Sequence, residues 1–179
     1  MEYSKIDKLG VNPSLLGFGC MRFPKKEDGT IDEVEAERML DHAIESGVTY
    51  IDTAYPYHDG ESEPFVGRVL KKYKREDFYL ATKLPMFKID SLEQAKEIFE
   101  EQMKRLDVDY VDFYLLHALN KDTWKKVIDL NIIPYCEELK KQGRIKNFGF
   151  SFHDDYEVFE EIINYRDWDF CQIQLNYID

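Results

Sequence analysis

The stretch that decides the fold is residues 48–60, which read VTYIDTAYPYHDG. Its first half is apolar and aromatic, as in a buried strand, and Asp52 interrupts the run at its end. Tyr57 follows in a segment with Pro56 and Gly60, a composition that predicts a loop. In proteins that alternate strands and helices, active-site residues lie just beyond the strand ends. We therefore expect Asp52 and Tyr57 at the rim of a functional site.

Length and composition indicate one globular domain. The chain has 179 residues, of which 44% are hydrophobic and 34% are charged, enough for a substantial core. No window approaches the roughly 18 consecutive apolar residues of a membrane span. The amino terminus lacks the apolar centre of a secretory signal, so we expect a cytoplasmic protein that binds no membrane.

Charge and cysteine content exclude other classes. A net charge of −12 argues against nucleic-acid binding, which depends on cations that neutralise phosphates. The three cysteines, at positions 20, 136 and 171, form no Cys-x-x-Cys pair. We expect reduced, mostly buried thiols and neither disulfides nor a metal site.

Strands and helices are predicted to alternate along the chain. Strands are expected at residues 15–21, 48–52, 78–84, 110–116, 145–152 and 170–175. Helices are expected from a capping box at Thr30 and Glu33 to Gly47, from Ser62, from Ser91 to Leu106, over 154–164, and in two pieces over about 122–142, interrupted by Pro134.

This alternation is typical of a parallel sheet in an α/β protein. Two architectures fit it, an open doubly wound sheet and part of a (β/α)8 barrel. An open sheet that binds a dinucleotide usually carries Gly-x-Gly-x-x-Gly after its first strand. Here Gly17 and Gly19 are followed by Arg22 where the third glycine belongs, so the fingerprint is absent.

Two further polar residues, Lys83 and His117, end the third and fourth predicted strands. Parallel strands share one carboxyl face, so both side chains can meet Asp52 and Tyr57 there. A buried lysine needs a partner, and Asp52 is the obvious one. An ammonium group about 4 Å from a phenol stabilises the phenolate by on the order of 4 kcal/mol at an effective dielectric of about 20. That is enough to help Tyr57 exchange a proton near neutral pH, while His117 either orients a substrate carbonyl or shares the proton.

Each of these residues also has a structural interpretation. The four would be a loop-capping aspartate, a rim aromatic, a lysine extending to water and a satisfied buried histidine. His58 is interpreted as an accessory surface residue, and His42 as a residue of a helix. The presence of all four at successive strand ends favours the functional interpretation.

The order and spacing of several motifs resemble the aldo-keto reductase family. They are Asp52-Thr53-Ala54 with Tyr57, Ser62-Glu63 with Gly67, Ala81-Thr82-Lys83, Leu115-Leu116-His117 and Gly149-Phe150-Ser151. The resemblance implies an α/β fold of the (β/α)8 TIM-barrel type. It also implies an oxidoreductase that uses NADP(H), with NAD(H) as the alternative, to reduce small carbonyl compounds.

Site roles follow from the resemblance. It implies that Tyr57 is the general acid, that Asp52 and Lys83 assist it, and that His117 positions the carbonyl oxygen. The implied cofactor contacts are Gly19, Cys20, Met21, Asp52, Ser151, His153 and Gln172. The family usually has Ser-Asn after the fifth strand, whereas here Phe152 and His153 follow Ser151, and His153 is expected to replace the asparagine.

The resemblance ends at the sixth strand. We therefore predict that residues 1–179 form one partial barrel domain that lacks the last two βα units, whose loops hold the cofactor phosphates in the family. Such a barrel exposes strand edges through which copies can associate. The sequences of residues 19–24, 151–153 and 172–177 resemble those of a bacterial or archaeal branch of this family. Members of that branch carry a ferredoxin-like iron–sulfur domain after the barrel. Any cluster would belong to that domain, which this sequence does not contain.

Two alternatives to the reductase stay open at this stage. One is a non-enzymatic binding or interaction module on the same truncated scaffold. The other is a barrel enzyme that uses Asp52 and His117 in metal-assisted chemistry, although the sequence offers no compact set of His, Asp and Glu ligands.

Overall fold

Six parallel strands form one sheet in the computed structural model, which describes residues 1–176. The strands are β1 (Gly17–Gly19), β2 (Tyr50–Asp52), β3 (Tyr79–Leu84), β4 (Val111–Leu119), β5 (Ile145–Phe152) and β6 (Phe170–Gln172). Their order in the sheet is their order in the chain, and every pair is parallel. A doubly wound sheet reverses its strand order at a switch point, whereas a (β/α)8 barrel does not. The predicted incomplete barrel is confirmed.

In the described part of the chain, six α-helices connect and cover the strands. They are α1 (Glu33–Glu45), α2 (Ser62–Leu70), α3 (Leu92–Leu106), α4 (Lys121–Asp129), α5 (Ile132–Lys141) and α6 (Tyr156–Tyr165). Within residues 1–176, none of the helices has the length and hydropathy required to span a bilayer.

The helix ends follow local capping chemistry. The Ser91 hydroxyl accepts a hydrogen bond from the Gln94 backbone N–H at the start of α3, as predicted. The capping box at Thr30 was wrong, because the Thr30 hydroxyl bonds to Asp28. Asp32 caps α1 instead and accepts from the Glu35 N–H. Asp32 directly precedes the helix and therefore provides its N-cap, whereas Thr30 lies two residues earlier.

The region over 122–142 is two helices, as predicted, but Pro134 does not separate them. The break lies at Asn131, whose φ of 55° is in the left-handed region. Pro134 sits in the first turn of α5, where its missing N–H costs no helical hydrogen bond.

Several strand boundaries differ from the prediction. β1 is confined to Gly17–Gly19, and Leu15 and Leu16 are exposed beside it. β4 continues past Leu116 to Leu119 through a register shift at which Ala118 has a φ of 51°. His117 therefore lies inside an irregular strand and not in the loop beyond it.

Successive side chains along each strand point to opposite faces of the sheet, and this divides the core into two clusters. Outward-facing side chains such as Leu80, Leu116 and Phe150 pack with the helices in the larger apolar cluster. Inward-facing Ala81, Phe113 and Leu115 form a smaller cluster inside the curve of the sheet. Residues two positions further along the same inner face therefore come together at the carboxyl end of the strands.

Close contact between α2 and α3 gives a first prediction. A Cβ on Gly67 would lie 2.6 Å from the Leu106 carbonyl oxygen and 2.9 Å from that of Arg105. The helices must separate to admit it, so Gly67→Ala should lower the free energy of unfolding by about 1–3 kcal/mol. A Cβ on Gly19 would meet nothing within 4 Å, and Gly19→Ala should change stability by less than about 0.5 kcal/mol. Equal urea midpoints for the two variants would contradict this packing.

Candidate active site

The centre of the site is the buried ammonium group of Lys83. Its Nζ donates to Asp52 Oδ1 at 2.5 Å, to the Thr53 carbonyl at 2.9 Å and to the Tyr57 hydroxyl at 3.2 Å. Lys83 is only 1% exposed. Its three N–H donors are satisfied by protein groups, which removes the interpretation of a side chain extending to water.

Asp52 and Lys83 reach each other because they face the same side of adjacent strands. Asp52 is opposite Ala81 in the register of β2 and β3, and Lys83 lies two residues beyond Ala81. Both side chains therefore project inward at the carboxyl end of the sheet. The ion pair is buried on both sides, so each charge depends on the other for stabilisation.

Tyr57 is carried by a tight turn after β2. Residues Tyr57–Gly60 form a kinked turn in which His58, Asp59 and Gly60 all have positive φ. His58 secures the turn, since its Nε2 accepts from the Phe23 backbone N–H at 3.1 Å and its ring packs 5.6 Å from that of Phe23. His58 is therefore a packing residue of the loop and not an accessory surface residue.

His117 faces Tyr57 across the site. The ring centroids are 5.8 Å apart at a steep angle of 79°, and the ring of Phe87 lies 5.7 Å from His117 on another side. Burial, followed by the charge of Lys83 and by His153, lowers the pKa of His117 to about 3. At pH 7 about one molecule in 10,000 carries the imidazolium, so His117 acts as a neutral hydrogen-bonding group.

The low pKa of His117 predicts a loss of stability in acid. Between about pH 6.5, the usual value for an unfolded histidine, and about pH 3, the unfolded state binds this proton and the folded state does not. The free energy of unfolding therefore falls by up to about 1.4 kcal/mol per pH unit from this group as the pH drops. His117→Gln should remove the part of this pH dependence that comes from His117. Urea unfolding near pH 7 and near pH 5 tests it, and parallel losses in wild type and variant would contradict it.

A cavity of about 220 Å³ opens beside these side chains. It is lined by Tyr57, Lys83, His117, Ser151, His153, Gln172, Ile173 and Gln174. The Ser151 oxygen accepts from the Ala118 N–H at 2.8 Å, and the Gln172 amide reaches Asp52 Oδ2 at 3.5 Å. His153 is exposed at the edge. The predicted residues of β5 and β6 thus share one cavity with Tyr57.

The end of β1 lies next to Asp52. Gly19 pairs with Asp52 in the sheet register, and Met21 is 57% exposed nearby. Cys20 is completely buried, and its carbonyl accepts from the Ser62 hydroxyl at 3.3 Å. Burial, with the charge of Asp52 second, raises the pKa of the Cys20 thiol well above its usual range. The Cys20 side chain is therefore a core group.

Three polar residues behind β3 were missed as site components. Glu63, Thr82 and Gln102 are all fully buried and bond to one another directly behind Lys83. The signal was available for Gln102, because it occupies the apolar stripe of α3 between Phe99 and Leu106. A polar residue on such a stripe indicates a buried hydrogen-bond network.

Phe87 is another residue beside the site that the sequence interpretation did not include. It lies three residues beyond the end of β3, is 47% exposed, and forms an aromatic wall beside His117. The sequence signal for it was an aromatic residue just after the end of a predicted strand.

The fold and the site define the class of protein: a barrel of parallel strands with an Asp, Tyr, Lys and His cluster at their carboxyl ends. The profile of the Aldo/keto reductase family matches residues 15–179, and the chain belongs to that family. The resemblance predicted from the motifs is confirmed.

Individual relatives give the extent of the similarity. The chain is 32% identical over 155 residues to probable aldo-keto reductase 1 of Glycine max, covering 82% of this chain and 44% of that protein. It is 34% identical over 125 residues to aldo-keto reductase YhdN of Bacillus subtilis, covering 65% of this chain and 38% of that protein. The chain thus spans less than half the length of these curated relatives.

A solved structure agrees with the fold. The holo form of aldo-keto reductase AKR11C1 from Bacillus halodurans superposes with a TM-score of 0.80 at 32% identity. The match covers 98% of this chain and 58% of that structure.

Proposed function

We propose that this chain transfers a hydride between NADP(H) and a small carbonyl or alcohol substrate, with Tyr57 as the general acid and base. The observation that carries the proposal is the position of Lys83 Nζ, which contacts both Asp52 and the Tyr57 hydroxyl beside a cavity. Membership of the aldo/keto reductase family supports the reaction class and the cofactor.

The residues present fit the nicotinamide end of the cofactor. The cavity of about 220 Å³ is smaller than the roughly 300–1,000 Å³ of a pocket that encloses a whole drug-sized ligand. It therefore suits the reacting ring and a small substrate, and not the entire dinucleotide. The Ser151 hydroxyl can still donate, since its oxygen is the acceptor from Ala118, and the Gln172 amide adds a donor and an acceptor for a carboxamide.

When bound, the nicotinamide supplies the hydride. Tyr57 Oη donates its proton to the carbonyl oxygen as the carbon is reduced, and the phenolate regains a proton from water. Lys83 stabilises that phenolate, and Asp52 holds the ammonium group in place. In alcohol oxidation the same groups act in reverse.

His117 is assigned to orientation and not to proton donation. With its pKa lowered to about 3, it is neutral at physiological pH and offers one N–H to a carbonyl oxygen. Its Nδ1 is buried and has no hydrogen-bond partner among the described residues. The proposed cofactor contacts around this centre are Gly19, Met21, Ser151, His153 and Gln172.

An aromatic residue beside His117 supports a proposal for the substrate class. Phe87 presents an exposed aromatic face next to His117, where a carbonyl would be held. We therefore propose small aldehydes or ketones that carry an apolar group.

The proposal is tested by following NADPH consumption with a panel of small aliphatic and aromatic aldehydes and ketones. Consumption that requires both the protein and a carbonyl compound is expected, and the same panel with NADH reports the nucleotide preference. Folded protein that consumes no NADPH with any member of the panel would overturn the proposal.

The outer strands support a second candidate function, an interaction module. Among residues 1–176, β1 and β6 each pair with one strand only, and Leu16 and Leu175 beside them are exposed. Open edges with apolar neighbours are templates for strand pairing, so we propose association with a second copy of this chain. A stable dimer in sedimentation velocity without NADPH consumption favours the module. An active monomer contradicts it.

Other sequence-based expectations stay predictions. They are the single partial barrel domain over residues 1–179, the cytoplasmic location, the absence of nucleic-acid binding, the choice of NADP over NAD and the iron–sulfur domain of related proteins.

A further inference from the structure

We infer that the buried network of Glu63, Thr82 and Gln102, here named the β3 support, positions Lys83 against Tyr57. This inference rests on the proposed function, because it assigns the residues that set its catalytic geometry. None of the three side chains contacts the cavity, so they are positioning residues that act through Lys83 and the Tyr57 loop.

The first observation is how the β3 support holds the backbone of β3. Gln102 Nε2 donates to the carbonyl oxygen of Lys83 itself at 3.0 Å. The same amide lies 2.8 Å from Glu63 Oε1 and 3.1 Å from Thr82 Oγ1. The residue that carries the ammonium group is thus fixed by a side chain from α3.

The second observation is that Gln102 is itself held from the other side. The Tyr114 hydroxyl donates to Gln102 Oε1 at 2.7 Å, and the Thr82 hydroxyl donates to Glu63 Oε1 at 2.6 Å. Gln102, Glu63 and Thr82 are all 0% exposed. Buried hydrogen bonds in low-dielectric surroundings are strong, so these contacts fix the position of the Gln102 amide.

The third observation connects the network to the loop of Tyr57. The buried Glu63 Oε2 lies 3.6 Å from Nη1 of the half-buried Arg105, within ion-pair distance but beyond hydrogen-bond distance. The Arg105 guanidinium stacks 4.3 Å from the Tyr55 ring centroid and approaches the carbonyl oxygens of Tyr55 and Gly60 at 3.4 and 3.5 Å. These two residues bracket the turn that carries Tyr57.

Together these contacts form a continuous path. One end of it fixes the strand of Lys83, and the other end fixes the loop of Tyr57, with Glu63 in the middle. The separation between Lys83 Nζ and Tyr57 Oη is 3.2 Å, already near the upper end of hydrogen-bond distances. A small displacement of either element therefore breaks the contact.

The experiment uses Gln102→Met with Asn147→Leu as a matched control. Both changes remove a buried amide that donates to a strand carbonyl and keep the side-chain size, since Asn147 Nδ2 donates to the Asp112 carbonyl at 2.9 Å. Only Gln102 contacts Lys83. Asn147→Leu removes one hydrogen bond, whereas Gln102→Met also removes the contacts with Glu63, Thr82 and Tyr114, so Gln102→Met should lose more stability in urea.

The readout is the ¹³Cζ resonance of Tyr57 at neutral pH in protein labelled on its tyrosines. Its assignment comes from Tyr57→Phe, and a variant that combines Asp52→Asn with Lys83→Met gives the reference without the ammonium group. Gln102→Met should move the Tyr57 resonance toward that reference and lower kcat by about tenfold to a hundredfold. Asn147→Leu should change neither.

Glu63→Gln provides a second variant of the same size. It replaces the carboxyl oxygen that lies beside Arg105 with an amide group and should move the Tyr57 resonance in the same direction. A Tyr57 resonance that is unchanged in both Gln102→Met and Glu63→Gln would overturn the inference and leave the network with a structural role. Absence of NADPH consumption in wild type would refute the proposed function, while the resonance would still decide the positioning role.

Discussion

Tyr57→Phe is expected to lower carbonyl reduction by about 10²- to 10⁴-fold, the usual contribution of a positioned general acid. The change removes one hydroxyl group, and the only described bond of that group is to Lys83. His117 cannot replace it, because its pKa of about 3 leaves almost no imidazolium at neutral pH. Steady-state kcat with a reactive aldehyde and NADPH is the measurement.

Tyr73→Phe is the matched control for this prediction. It also removes a hydroxyl bonded to a charged partner, because Tyr73 donates to Asp41 at 2.6 Å, but it lies in the connection from α2 to β3. Its kcat should stay close to that of wild type. A Tyr57→Phe variant that keeps wild-type turnover would mean that another group donates the proton.

Lys83→Met should have the largest effect on stability. It removes the ammonium partner of a buried carboxylate, since Asp52 is only 8% exposed and its Oδ1 is 2.5 Å from Lys83. Breaking one side of a buried ion pair costs about 3–5 kcal/mol, a large part of the roughly 5–15 kcal/mol that holds a typical domain folded. Urea unfolding followed by circular dichroism measures the loss.

The variant that combines Asp52→Asn with Lys83→Met separates stability from chemistry. Removing both charges leaves no uncompensated buried ion, so much of the stability should return. Turnover should not return, because the phenolate of Tyr57 would still lack its cation. Restored activity in the double variant, or equal stability of single and double variants, would contradict the roles given to this pair.

Much of the site was accessible from the sequence, because a period of two fixes which strand residues share a face. Asp52, Lys83 and His117 all fall at the ends of predicted strands, and barrel topology brings those ends together. The structure adds the distances, above all the contact of Lys83 with Asp52 and Tyr57. Local pattern therefore predicted the cluster and the pairing of Lys83 with Asp52, but not the other hydrogen bonds of Lys83.

The errors have local physical causes. The bulge around Ala118 extends β4 and places His117 within it, and no residue type in that stretch announces a positive φ. Leu15 and Leu16 are apolar but exposed, so hydrophobicity alone made β1 too long. The network behind Lys83 was missed because it joins α2, α3 and β3, which only tertiary packing brings into contact.

The most direct test of the account follows deuterium from C4-deuterated NADPH into the reduced product. Mass spectrometry of the alcohol formed by the wild-type protein should show one deuterium on the former carbonyl carbon, and Tyr57→Phe should form almost none of this product. A wild-type protein that yields no deuterated alcohol, or a Tyr57→Phe variant that yields as much as wild type, would contradict the account.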